Sequence, residues 1–326
     1  MGRVVLVANG ISDAEFLNVR RLLAKDHTSV LCYRVDHNTG SAGGFHLGIR
    51  SAIQQGAKSI WLLDDDNIAR ADSLTLLLDS KEKIEVSLRE PVVVTSFRPD
   101  DGVQRRSLCV SHDAQPPAGS FLSFDLWSML RSTRRVGSIT QNCAIRISLA
   151  PYGGLLLDRS VVARIGLPET AMLLYEDDSE YTNRLTSIGV KLFLIRASII
   201  IDNDTKWSQS KGRSRRLGIM DSTDLARIWL AARNRAFFDR ERSKTWIARI
   251  RFHGNRLVFI SVAFAFGVGR GQFQQFSVLR HGALCGRKTR RASELCSTDA
   301  PRLLNGQSLP MPLDESTHRE HLLGSC

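Results

Sequence analysis

The six cysteines (Cys32, Cys109, Cys143, Cys285, Cys296 and Cys326) include no CxxC pair and follow no regular spacing. That argues against a structural zinc site and against a disulfide scaffold, and it fits a reducing cytosol. No signal-peptide pattern opens the sequence, because Met1-Gly2-Arg3 leads straight into a short strand-like run. Long apolar runs are also missing. The longest uncharged one falls between Arg256 and Arg270, short of the about 20 residues a spanning helix needs but suited to lying in a membrane surface. No helix-turn-helix, zinc finger or aromatic RNA platform accompanies the basic pI of about 9.9, so a nucleic-acid binder ranks last among the functions weighed.

Acidic residues are scarce in one region only. Thr205 to Leu295 carries 20 Lys+Arg against 5 Asp+Glu, a net +15 in a chain whose total is +12, so the remainder is slightly acidic. A basic C-terminal third implies an anionic partner: substrate phosphates, a membrane face or nucleic acid. The other proportions, 43% hydrophobic and 24% charged over 326 residues, are those of a globular protein with one large domain and an appended piece.

Strand and helix signals alternate at short spacing. Val4 to Ala8, Val30 to Val35, Ser59 to Leu63 and Pro91 to Thr95 read as strands; Asp13 to Lys25, Ile49 to Gln55 and Ser73 to Ser87 read as helices. The expected fold is α/β, an open, mostly parallel sheet flanked by helices, with ligands bound beyond the carboxyl ends of the strands. From about Asp100 to Arg146 the pattern weakens and a long loop is expected. After Ser222 the spacing of Leu225, Ile228, Trp229 and Ala232 is helical, with arginines on the other face. The expected organisation is an α/β domain over residues 1–205, a basic helical region over 206–290 and a flexible tail over 291–326.

Three stretches carry chemistry. Asp64-Asp65-Asp66 closes the Ile60-Trp61-Leu62-Leu63 strand. Adjacent carboxylates repel one another, and hard oxygen ligands suit Mg²⁺ or Mn²⁺, which also bind diphosphates. A solvated acidic loop is the competing reading; the apolar strand running into the triplet favours a site. Asn38 to Phe45 is rich in glycine, including Gly43 and Gly44, so backbone N–H groups can approach a phosphate or sugar, although such turns often just close a tight loop. Tyr175 to Tyr181 places Glu176, Asp177, Asp178 and Glu180 at a helix start. The helix dipole explains one or two acids there, and a carboxylate can serve as the base that deprotonates an acceptor hydroxyl. Asp202, Asp204 and Trp207 follow the strand Leu192 to Ile201.

Together with Tyr152-Gly153-Gly154, Ile165-Gly166-Leu167-Pro168, Arg184, Arg233-Asn234-Arg235, Gly282 and Gly286-Arg287, these motifs resemble family 2 glycosyltransferases, over about residues 4 to 290. The bacterial galactofuranosyl- and rhamnosyltransferases are the nearest branch. The resemblance implies a GT-A fold and an inverting, metal-dependent transfer from a nucleotide diphosphate sugar, using Mn²⁺ or Mg²⁺. Asp64 and Asp66 match the metal ligands, Asp65 faces the donor sugar, and Gly43 and Gly44 match the donor-binding run. Asp178 matches the base, Glu180 and Asp177 flank the acceptor, and Tyr152, Gly153 and Gly154 line its pocket.

Two departures stand out. The family's metal-binding histidine, 24 residues after the base, is Asp202 here, still a hard ligand. The first strand of the family is missing, and Val4 to Ser12 resembles the second, with Ala8 at its usual aspartate. Such a loss would expose apolar edges, which raises two expectations: an upstream start of translation, or an inactive remnant. The active reading places the protein in the cytoplasm, peripheral at the inner face of the plasma membrane, acting on a lipid-linked glycan. Trp246, Ile247, Ile250 and Phe252 alternate with Arg249, Arg251 and Arg256, which suits an anionic membrane face. The alternative is a solvated helix whose arginines bind acceptor diphosphate.

Overall fold

The structure is a computed structural model and describes residues 2–23, 30–131, 143–203, 218–289, 291–295, 310–311, 313 and 318–323. Asp204 and Trp207 lie outside the described residues. The chain begins β1 (Val4–Asn9), α1 (Asp13–Leu23), β2 (Val30–Val35), α2 (Gly40–Gln54), β3 (Ser59–Trp61), β4 (Asn67–Ala69), α3 (Ser73–Leu88) and β5 (Val92–Phe97). It continues through α4 (Gly102–Val110), α5 (Leu126–Arg131), β6 (Ala144–Ile147), β7 (Leu155–Asp158), α6 (Arg159–Ile165), α7 (Asp177–Ser187) and β8 (Lys191–Asp202). Helices α8 (Leu225–Arg242), α9 (Trp246–Gly269) and α10 (Phe273–Lys288) and strand β9 (His318–Leu323) complete it.

The expected α/β class with a helical C-terminal region is what the structure shows, with one correction to the sheet. Among the described residues, five of the seven strand pairings are antiparallel, and β1–β2 and β5–β8 are parallel. The strands also divide into two sheets, β1-β2-β9 and β3-β7-β5-β8-β4, with β6 on β8. Antiparallel β7 lies between β3 and β5, so it begins at the end where those two finish and runs back from it. Alternating strand and helix signals cannot report such an insertion, because they carry no direction. Strand β5 is buried along its whole length, which explains its uninterrupted Val-Val-Val run.

Two further expectations are corrected. The region from Asp100 to Arg146 is not one loop: it holds α4, started by Asp101 whose side chain accepts from the Val103 and Gln104 amides, and then α5 and β6. The segment from 291 is not all tail, since β9 pairs antiparallel with β2.

One core fills the space between the main sheet and its helices, built from residues such as Ile60, Val93, Leu155, Leu192 and Tyr181. A second lies among α8, α9 and α10, around Trp229, Phe252, Phe259 and Leu279. Helix α8 is buried on nearly every side; Arg227 is exposed as the apolar spacing suggested, but Arg233 and Arg235 are not on a wet face, and Arg233 is 1% exposed. Glycine lets α10 approach α8 closely. A Cβ on Gly282 would meet the Trp229 carbonyl oxygen at 2.5 Å, and one on Gly286 would overlap the Arg233 carbonyl. Phe252, grouped by sequence with a membrane-facing set, points into this core.

Candidate active site

The carboxyl ends of β3, β5 and β8 and the amino end of antiparallel β7 share one end of the main sheet, and the chemistry gathers there. Asp64 and Asp65 leave β3, and the chain turns at once into β4, whose Asn67 pairs with Asp202 at the end of β8. The Asn67 amide nitrogen donates to Asp66 Oδ1 at 2.9 Å and to Asp202 Oδ1 at 3.1 Å, and its oxygen accepts from the Asp64 amide at 3.0 Å. One short side chain thus gathers the triplet and the replaced histidine position. The close approach needs Gly153, where a Cβ would overlap the Asn67 side chain. Gly154 takes φ +96° while its amide donates to the Leu62 carbonyl and its own carbonyl accepts from Ser96.

Arg98, the first residue beyond β5, supplies the cation. Its Nη2 lies 2.7 Å from Asp202 Oδ1. Asp64 keeps a solvent-accessible surface yet is surrounded by protein; desolvation first, then the charges of Asp66 and Asp65, push its carboxyl up to about 6 against the pull of Arg98. Desolvation and then Asp202 likewise raise Asp66.

The second cluster opens α7. Asp177 is buried and accepts from Ser41 Oγ at 2.7 Å, so the first turn of α2 is pinned to the first turn of α7. Burial and the neighbouring Asp178 hold Asp177 well above the usual carboxylate range. The Tyr152 hydroxyl donates to the Asp177 carbonyl, and the Tyr152 ring stacks on Phe45 at 4.2 Å. Asp178 is half-buried; desolvation and then Glu176 push it up to about 7, opposed by the Ser179 amide and by Arg98. Arg98 therefore acts on both clusters. Glu180 is turned aside to Arg184 at 2.8 Å.

The approach to α7 is strained and clamped. Leu173, Tyr175 and Glu176 all have positive φ, near 62–67° for the first two and 61° for the third, a cost on the order of 1–3 kcal/mol each. From α8, Asn234 Nδ2 lies 2.6–2.9 Å from the carbonyls of Met172, Leu174 and Tyr175. Arg233 donates to Ala171 and Met172, and Arg235 pairs with Glu176 at 2.8 Å. The Arg233-Asn234-Arg235 motif is thus the support of the acidic turn.

The glycine run has a different setting from the expected loop. Gly40 to Gly44 already belong to α2; Asn9 at the end of β1 accepts from Thr39 and donates to the Gly40 carbonyl. Gly43 sits against Thr39, and Gly44 faces the Asn9 amide. Sequence reasoning missed Arg98, Asn67 and Ser41. Arg98 carried one signal, its place just past the carboxyl end of a buried strand.

Among the described residues, no three Asp, Glu, His or Cys side chains converge as a ready metal cage. The residues do fit a divalent cation of the kind held by one or two carboxylates and a substrate diphosphate: Asp64 and Asp66 crowd negative charge at a strand end, and Asp202 stands beside them.

No family model matches the chain. It is 28% identical over 191 residues to galactofuranosyltransferase GlfT1 of Mycobacterium tuberculosis, covering 57% of this chain and 55% of the relative. Against GlfT1 of Mycolicibacterium smegmatis it is 28% identical over 155 residues, 47% and 46% of the two chains. These curated relatives are galactofuranosyltransferases. The chain spans about half the length of the relatives it matches. Among solved structures, GalNAc-T7 with UDP, GalNAc and Mn²⁺ superposes with a TM-score of 0.41 and 12% identity, over 82% of this chain and 51% of that one.

Proposed function

We propose that the chain is a GT-A-type glycosyltransferase that moves galactofuranose, with rhamnose the second candidate, from a nucleotide diphosphate donor to a lipid-linked glycan at the inner face of the plasma membrane. The observation that carries this is the convergence of Asp64, Asp66, Asp202 and Asp178 on one guanidinium, Arg98, at the carboxyl end of the sheet. The similarity to galactofuranosyltransferases supports the choice of sugar.

In this reading Asp64 and Asp66, with Asp202, hold Mn²⁺ or Mg²⁺, which when bound neutralises the departing diphosphate. Asp65 faces the donor sugar, with Gly43 and Gly44 beneath the donor. Tyr152, Gly153, Gly154 and Asp177 shape the acceptor side. Asp178 takes the proton of the acceptor hydroxyl as its oxygen attacks the anomeric carbon, and the bond to the diphosphate breaks on the opposite face, inverting the configuration. A value near 7 suits that task, because the group is both able to accept the proton and substantially ionised at neutral pH.

The test is nucleotide release across UDP- and dTDP-sugars with Mn²⁺ or Mg²⁺. UDP-galactofuranose is expected to turn over, in a metal-dependent way. A folded chain that releases nucleotide from none of them overturns the proposal. It would favour a catalytically inactive protein, a reading prompted by the Arg98 guanidinium already occupying Asp202 Oδ1.

A further inference from the structure

The outward face of α9 reverses the usual order of a surface helix. Its buried stripe is Ala248, Phe252, Asn255, Phe259, Ala263 and Gly267. On the opposite side Trp246, Ile250, Leu257, Phe264 and Val268, spaced by four and seven residues, are 48–71% exposed. The helix contains no Asp or Glu, and its three charges, Arg249, Arg251 and Arg256, lie at the margins of that face. It runs for 24 residues and contains an 18-residue stretch with a mean hydropathy of 1.2, apolar and long enough to cross a membrane by length and composition alone. The packed stripe instead ties it lengthwise to the second core. Beside it, α5 is held by Asp125 to Arg251 at 2.8 Å and adds exposed Trp127, Met129 and Leu130.

At one margin of this face, α9 and α10 enclose a cavity of about 80 Å³ lined by Arg256, Arg280 and Arg287 with Phe121, Ile260 and Leu284. That is several times the roughly 10–15 Å³ a single water needs. None of the three arginines has a carboxylate partner among the described residues, and the Nε atoms of Arg256 and Arg287 are buried without a hydrogen-bond acceptor. Burial and the charge of Arg287 both weaken the hold of Arg256 on its proton. Three like charges around an apolar floor, with donors unmet, call for an anion bearing several oxygens.

We infer that this arginine-lined cavity holds the phosphate headgroup of an anionic lipid while the outer face of α9 lies in the bilayer surface beside it. The charge pattern chooses the occupant: an apolar face free of acids and edged by arginines matches the negative surface of a membrane, with acyl chains against Trp246 and Leu257 and phosphate against Arg256, Arg280 and Arg287. The inference deepens the reading of a membrane-borne acceptor and rests on it.

The test is co-sedimentation of the full chain with vesicles of phosphatidylcholine alone or mixed with phosphatidylglycerol, with nucleotide release from the donor measured in parallel. The expected result is retention on the mixed vesicles. R256Q/R287Q should weaken it by roughly fivefold per arginine, and L257D should abolish it, both without loss of nucleotide release in solution. Calorimetry with pyrophosphate distinguishes the source of the phosphate: tight pyrophosphate binding without vesicle retention assigns the cavity to a soluble anion and overturns the proposal. Self-association that L257D abolishes, again without vesicle retention, overturns it in favour of a second copy of the chain. A native chain that releases nucleotide but is not retained on the mixed vesicles sinks this inference alone, whereas a native chain retained on them without nucleotide release sinks only the transferase reading.

Discussion

Arg98 and Asp202 form an ion pair 2.7 Å apart, joining the residue just beyond β5 to the last residue of β8 across the mouth of the acidic cleft. Both strands are parallel neighbours, so their ends meet by sheet geometry, although 104 positions separate the two residues in sequence. Removing the guanidinium leaves Asp64, Asp66, Asp178 and Asp202 facing one another. Arg98→Gln is therefore expected to move the acid limb of the pH–rate profile to higher pH, since the charge that holds Asp178 down is gone. An unmoved profile would show that Arg98 serves only to pair with Asp202.

Asp64→Ala and Asp66→Ala are expected to abolish metal-dependent donor binding while the fold is kept, because both side chains sit at a strand end outside the main core. Calorimetry with the donor and Mn²⁺ reads this. Metal affinity in the native chain should also fall as pH drops through about 6, where Asp64 takes up its proton. Donor affinity unchanged in both variants removes the metal assignment.

Asp178→Asn should retain donor binding and lose about 10²–10⁴ in turnover. The sign of the pH dependence follows from the role: a base works deprotonated, so the native rate rises with pH through about 7. The same shift makes this group's contribution to stability fall between pH 3.8 and about 7, where the folded chain binds more protons than the unfolded one. Near-normal transfer by the variant would pass the role to Asp177 or Glu176.

Asn234→Ala strips three carbonyls in the strained turn of their shared donor. A loss of about 1–3 kcal/mol in denaturant unfolding is expected, with kcat reduced more than KM changes, because the turn sets the position of Asp178. Equal stability in the two proteins would mean that Arg233 and Arg235 hold the turn unaided.

Gly286→Ala tests the close packing of α10 on α8. The added methyl overlaps the Arg233 carbonyl, and the helices must part. The expected cost is about 1–3 kcal/mol, read as a lower midpoint of thermal unfolding. An unchanged midpoint would show that the helix pair shifts freely.

By itself the sequence determined the local features. The β-branched runs marked the strands, half-buried β1 and fully buried β5 alike, and the carboxylates of Asp64 to Asp66 and of Glu176 to Glu180 marked the two acidic stations, because side-chain chemistry is written in neighbouring residues. The order of strands was not written there. Whether β7 runs with or against β5 depends on how distant edges pair, and that decided which side chains share the cleft. Asn67 carries no pattern of its own and Arg98 only its place past a buried strand; they matter because Asp202 ends opposite one and beside the other. The arginines of α8 show the limit most directly. Their spacing suits a wet face, yet the acidic turn before α7 presents them with carbonyls and a carboxylate, and ion pairing and hydrogen bonding within the packed fold draw Arg233 and Arg235 inside.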